Sequence, residues 1–301
     1  MAITAEQVKN LRTQTGAGMM DCKHALTEAG GDIAKAVEIL RKKGLSGLAK
    51  RADRAMKEGI VLCKSSEDKK AYVLLELNCE TDFVAKNPEV SGFANSIADA
   101  MLADNNYGNP AEKAEAKEGM QSIAMKTGEN MQIRRGVRFD AGEKAVINSY
   151  IHSDNKKGAI VEVSFSGEMT EAAAAELKAF ARELAMQSVA MSPKYLRRED
   201  VPAEIISKEK EIYRAKTAQD EAEAKAKAEA HGRAYKEKPA EVVEKMLEGR
   251  VHKFYQECCL TEQVSIRDNK QTIAQSIKEL GAKLGAEVKV DRYACYMIGV
   301  E

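Results

Sequence analysis

Tryptophan is absent from the 301 residues, and aromatic side chains make up only 5% of the chain. With 44% hydrophobic and 31% charged residues, that scarcity points to a folded, helix-rich soluble protein. An excess of either charge is also missing. Lys plus Arg number 47 and Asp plus Glu number 47, which excludes a general nucleic-acid coat and leaves room only for a local basic patch. No window approaches the ~18 apolar residues of a membrane span, and "MAITAEQVKN" lacks a signal-peptide core, so a cytoplasmic protein is expected. The six cysteines (Cys22, Cys63, Cys79, Cys258, Cys259, Cys295) form no C-x-x-C pair, and reduced, packed thiols are expected of them. Cys258 and Cys259, placed on a helix, would project in different directions and make poor joint ligands. Phosphate-cradling glycine motifs, a G-x-S-x-G elbow and H-E-x-x-H are all missing, and the four histidines stand far apart. No catalytic residue, metal site or cofactor is therefore expected, and an enzyme is not.

What is present reads as modules, since the length exceeds one usual domain. Residues 1–57 carry short helices and a linker helix. Thr4 and Gln7 make a capping-box pattern, Gly16 and Gly18 break the first helix from the second, and Asp32 caps a third that is expected to end at Gly44. The segment after it carries Lys50, Arg51, Arg54 and Lys57, either a phosphate contact or the solvated face of a connecting helix. From Gly59 the pattern changes to strands. "GIVLCK" and "KKAYVLLELN" flank the polar turn "SSEDKK", a helix starts at Pro88, another spans roughly 111–127, and "MQIRRGVRFD" alternates Met131 and Ile133, then Val137 and Phe139.

The same order then recurs: "AVINSYIHS", "GAIVEVSF", "LKAFARELAMQSV" and, far downstream, "AEVKVDRYACYMIGV". Two related sheet-plus-helix subdomains follow, one over 58–141 and one over 142–202 and 259–301. Between them in the second copy, 203–258 reads as an inserted antiparallel helical hairpin, a coiled coil. Its first helix places Ile205, Ile212 and Ala226 in heptad register, and its second places Val243, Leu247, Val251, Phe254 and Cys258 on one stripe. The alanine-rich middle buries little, so a mobile tip is expected. The fold class is α+β: an N-terminal three-helix module, a core of two related subdomains and the hairpin.

Within "LNCETDFVAKN", Asp82 and Phe83 stand on a strand-to-helix connection. The second copy has "EVSFSGEMTEAAA" where the first has "ELNCETDFVAKNPEV", without an Asp-Phe pair, so the architecture does not require Phe83. Two roles stay open: a staple closing its own subdomain's core, or a wedge for a partner's pocket.

"VKNLRTQTGAGMMDCKHALTEAGGDIAKAVEILRKKG", "NCETDFVAKN", "GENMQIRR" and "KPAEVVEKMLEGR", in this order, resemble the signature segments of the bacterial translation elongation factor Ts family. The resemblance covers most of the chain and implies an N-terminal module similar to ubiquitin-associated domains. It implies a guanine-nucleotide exchange factor that binds elongation factor Tu–GDP, dislodges Mg²⁺ and promotes GDP release and GTP loading. The family's T-D-F-V segment falls on Thr81, Asp82, Phe83 and Val84, so Phe83 would insert between helices of the GTPase domain and Asp82 would engage polar groups beside the ion. Leu11, Arg12, Met19 and Met20 become docking candidates, although filling the module's core is the more expected role for the methionines. His152, in the turn of "SYIHSDNKKGA", matches a family position near the partner. No membrane and no stable nucleic-acid binding are implied, beyond a transient tRNA contact by the hairpin. That hairpin is longer than is usual in the family, and the region after "LTEQ" resembles it only weakly.

Overall fold

Thr4 and Gln7 close the reciprocal capping box expected at the head of α1 (Ala5–Thr15), and Gly16 ends the helix in the left-handed conformation. The computed structural model describes residues 3–49, 53–235 and 238–300. Helices α2 (Met19–Glu28) and α3 (Ile33–Ala49) complete the N-terminal module around Leu11, Cys22, Leu26 and Ala36. The expectation that α3 stops at Gly44 is corrected, because the helix continues to Ala49. Gly44 acts as a contact point there: a Cβ on it would stand 2.1 Å from Met125 Sδ, so its bareness lets α3 lie against a later helix. Lys50 and Arg51, candidates for phosphate contact, lie outside the described residues, while Arg54 pairs with Glu80 at 3.3 Å.

The first core copy runs β1 (Glu58–Ser65), β2 (Ala71–Cys79), α4 (Asp82–Ala85), α5 (Pro88–Ala103), α6 (Ala114–Thr127) and β3 (Met131–Asp140). The second runs β4 (Ala145–Ile151), β5 (Lys157–Phe165) and α7 (Glu171–Met191). The hairpin helices α8 (Ala203–Ala230) and α9 (Ala240–Cys258) follow, then α10 (Ile273–Leu284) and β6 (Val288–Met297). Each copy folds into an antiparallel three-stranded sheet, β1-β2-β3 and β4-β5-β6. Helices α5 and α6 cover one face of the first sheet, and α7 and α10 cover one face of the second. No helix among the described residues is long and apolar enough to cross a membrane.

The other faces of the two sheets pack on each other around Val61, Leu74, Phe139, Ile147, Ile160 and Tyr296. Gly158 on β5 permits this approach, since a Cβ there would meet Ile151 Cδ1 at 2.3 Å and Val61 Cγ1 at 3.1 Å. A β-bulge sits at the same place in both copies, opposite Glu76/Leu77 and opposite Glu162/Val163. It corrects the simple alternation read for β3. Met131 and Ile133 face the helices, whereas Val137 and Phe139, beyond the bulge, face the other sheet. At each bulge a buried glutamate meets arginine: Glu76 with Arg135 at 2.6 Å and Arg134 at 3.2 Å, and Glu162 with Arg292 at 2.5 Å. Arg135 then lies 4.3 Å over the Tyr296 ring and Arg292 lies 4.2 Å over the Phe139 ring, each across the sheet–sheet joint.

The hairpin helices run antiparallel, joined by Arg250 over the Tyr213 ring and by the pairs Arg214–Glu244 and Arg250–Asp220. On α9 the expected stripe holds, with Leu247, Val251 and Cys258 buried. The register read for α8 holds only at Ile205, which packs at the base of α9 beside Cys258 and Phe254, and fails at Ile212 and Ala226. Ile212 is 49% exposed, and further along the seam is carried by Thr217, only 3% exposed, and the half-buried Tyr213. Counting only aliphatic residues passed over a tyrosine and a threonine whose apolar parts fill that narrow seam. The two adjacent cysteines are also corrected. The helix ends at Cys258, Cys259 turns into extended backbone, and the two Sγ atoms converge to 3.6 Å in a buried cluster.

Candidate functional site

The connection after β2 is built from "ETDFVAKN". Thr81, in extended backbone, caps the single helical turn α4, its hydroxyl accepting the Val84 N–H at 3.4 Å. Asn87 caps α5 in turn, with Pro88 at its first position. Between these two caps the turn has one inward side. Ala85 is buried and Val84 packs on the α5–α6 core, which leaves Asp82 and Phe83 facing outward.

Phe83 is 83% exposed, the most exposed of the large hydrophobic side chains in the described residues. That disposes of the staple role, because Val84 and Ala85 close the core instead. The second copy makes the contrast sharp. Counting from the bulge glutamates Glu76 and Glu162 places Met169 at the position of Phe83, and Met169 packs into the core under α7. One position therefore carries a large apolar side chain twice, turned in once and turned out once.

Asp82 pairs with Lys86 at 2.7 Å one turn along. The hydrogen bond from the Lys86 ammonium, with Lys156 adding its field, holds the Asp82 carboxyl below the usual carboxylate range. Asp82 also lines a cleft of about 550 Å³ between the two core copies, together with Lys86, the exposed edge of β1 and the β4–β5 turn at Asp154–Lys156. That turn is fixed on β1 by the Val61 N–H donating to Asn155 O at 2.7 Å and by Lys156 pairing with Glu58 at 2.5 Å. His152 stands in the same turn, its Nδ1 3.1 Å from Asp154 Oδ1 and its ring edge-on to Tyr150. Residues far apart in sequence, Asp82 and the His152 turn, thus flank one cleft.

The N-terminal candidates separate. Leu11 is completely buried and forms the centre of the three-helix core, so it supports the module from inside. Arg12 is exposed on α1, and Met19 and Met20 are 57% and 61% exposed at the start of α2, outside the core. These three present themselves to solvent, on a module that α3 and Gly44 seat against α6.

Sequence reasoning missed the groups that hold the turn. Glu129, just after α6, accepts hydrogen bonds from Thr81 N at 3.0 Å and Thr81 Oγ1 at 2.6 Å, and Glu80 accepts from Asn130 N at 2.7 Å. Both glutamates sit inside quoted signature segments, "CETDF" and "GENMQ", but nothing in their spacing joins them. Among the described residues no group of three or more His, Cys, Asp or Glu could hold a metal ion. The site's chemistry is that of an exposed ring, an ionised carboxylate and a cleft of mixed apolar and charged lining.

Comparison with known proteins bears on what such a surface meets. A family model described as Elongation factor TS matches residues 80–300. Elongation factor Ts of Chlorobaculum parvum is 41% identical over 307 aligned positions, covering 99% of this chain and 99% of that protein. That of Clostridium botulinum strain Eklund 17B is 40% identical over 306 positions, covering 99% and 93%, and that of Symbiobacterium thermophilum 38% over 297, covering 99% and 92%.

Proposed function

The chain belongs to the elongation factor Ts family, and from that premise we propose that it binds elongation factor Tu in its GDP form, displaces Mg²⁺ there and promotes GDP release and GTP loading. It acts as an exchange factor, with no covalent chemistry of its own. Thr81, Asp82, Phe83 and Val84 form the acting segment. The exposure of Phe83, set against the half-buried Met169 that packs on its own core at the matching position, is the observation that supports this most.

The mechanism needs only differential binding. Mg²⁺ takes near-octahedral oxygen ligands at ~2.0–2.1 Å and bridges phosphate oxygens, so shifting the elements around it by a fraction of that length weakens nucleotide binding. Phe83 supplies the driving force, since removing such a ring from water is worth about 1.5–3 kcal/mol, or roughly ten- to a hundredfold in affinity. Asp82, ionised at the edge of the cleft, supplies a carboxylate beside the ion. The coupling is reciprocal: a factor that loosens the nucleotide is itself expelled when nucleotide rebinds. His152, Arg12, Met19 and Met20 add docking surface, and Leu11 acts by keeping the module folded. We place the protein in the cytoplasm. The hairpin's lysines alternate with glutamates, which suits at most a transient tRNA contact.

The test is release of a fluorescent GDP analogue from elongation factor Tu. Addition of this protein should accelerate release, and Phe83→Ala should reduce the acceleration at least about tenfold. Full acceleration by Phe83→Ala, or none by the parent, would overturn the proposal.

A further inference from the structure

A helical turn of four residues cannot stabilise itself, because one turn fixes several dihedrals for a single hydrogen bond. What holds α4 with its ring outward is therefore tertiary. The anchors are Val84 and Ala85 on the inner side and, on the other, a clasp made by two glutamates at the adjoining ends of the paired strands β2 and β3, one just after β2 and one just before β3. Glu80, at the end of β2, receives the backbone N–H of Asn130. Glu129, the residue before Asn130, receives both the backbone N–H and the hydroxyl of Thr81, the residue after Glu80. The two acids thus exchange places, each binding the other's neighbour.

The second core copy shows what the fold alone requires at this joint. There Ser166 and Glu287 stand where Glu80 and Asn130 stand, the Ser166 N–H donates to Glu287 O at 2.9 Å, and the Glu287 N–H donates to Ser166 Oγ at 2.9 Å. Ala286 occupies the position of Glu129 and Gly167 that of Thr81. Strand ends are joined in both copies, but only the copy with an exposed ring adds a carboxylate on the residue that caps the ring's own turn. A hydrogen bond to an ionised acceptor is about twice as strong as a neutral one, and two to one residue fix its orientation.

We infer that Glu129 is a positioning residue of the exchange site: its carboxylate holds Thr81, and through that cap fixes the turn that presents Phe83 and Asp82. This rests on the exchange role proposed for Phe83. Pre-ordering the turn means that binding a partner does not have to order it, which raises the fraction of encounters that are productive.

Variants of the full chain test this. In the release assay, Glu129→Ala should lower kcat/KM about tenfold, Thr81→Val similarly, and the double variant by less than the product of the two single losses, since both cut the hydroxyl–carboxylate bond while each also removes a bond the other leaves. Glu129→Gln, which keeps an acceptor, should retain most of the rate even if Glu129→Ala folds poorly. A second readout needs no partner. Because the chain has no tryptophan, Phe83→Trp installs a unique fluorophore on the turn, and its anisotropy should fall when Glu129→Ala is added. An undiminished rate in Glu129→Ala, additive losses in the double variant, or unchanged anisotropy would sink the inference while Phe83→Ala still loses exchange. If Phe83→Ala exchanges at full rate, the proposed role of the turn fails and the clasp's role fails with it.

Discussion

Cys63, Cys79, Cys259 and Cys295 sit in different parts of the core, and burial pushes all four thiols up, to about 11 for Cys63 and Cys295 and about 12 for Cys79 and Cys259, from an ordinary 9.0. The folded state therefore keeps protons that the unfolded chain releases above pH 9. Their contribution to stability is complete below pH 9 and is lost as pH rises toward 11–12. Denaturation midpoints should hold steady up to about pH 9 and fall above it, and alkylation of native protein near pH 8 should be far slower than of unfolded protein. A midpoint flat to about pH 11 would contradict this. Packed thiols were legible from the scatter of the cysteines, whereas the convergence of Cys258 and Cys259 was not, because it depends on where one helix ends. Phe83 became legible through its repeat partner. Leu11 did not, since an amphipathic pattern names a face without saying whether a given leucine lies at its centre or its rim. Glu129 is harder still: its partner Thr81 is distant in sequence, and only the closed sheet brings them together.

Among the elements, the hairpin is held by the least. Its seam between α8 and α9 buries Thr217, Leu247 and Val251, helped by pairs such as Arg214–Glu244 whose members are more than half exposed and contribute little. Leu247→Ala should therefore loosen the hairpin alone. Amide exchange through α8 and α9 should accelerate sharply, while the main unfolding transition of the core moves by less than about 1 kcal/mol. A loss shared equally by core and hairpin amides would show instead that the hairpin is welded to the core. Helix positions and types were legible because caps and periodicity are local. The continuation of α3 through Gly44 was not, because a glycine that ends a helix and a glycine that admits a neighbour look alike until Met125 is in place. The β-bulge was hidden for the same reason: an extra residue in β3 has no mark of its own in an alternating pattern.

For the molecule as a whole, the joint between the sheets decides stability. Glu76 is completely buried and holds Arg135 against Tyr296 of the other sheet, so Glu76→Ala leaves two arginines without their carboxylate in a partly dry joint. A loss of about 2–3 kcal/mol is expected in urea or guanidinium unfolding, reduced from the fully buried case because both arginines keep some water. Glu76→Gln should lose less, and a change below about 0.5 kcal/mol would show that the aromatic contact alone carries the joint. The repeat was plain in the sequence, but its back-to-back packing was not, although β2, buried along all nine residues, has the continuous apolar run of a strand covered on both faces. The latch has a consequence beyond stability. Arg135 meets Tyr296 and Arg292 meets Phe139, and these are matching residues of the two copies with their roles exchanged. Such reciprocal contacts are the geometry of a two-fold dimer, here drawn inside one chain. A duplicated half that once paired with itself would leave this trace, and fusion would free each half to change alone: Met169 packs on its own core, while Phe83 stands in solvent.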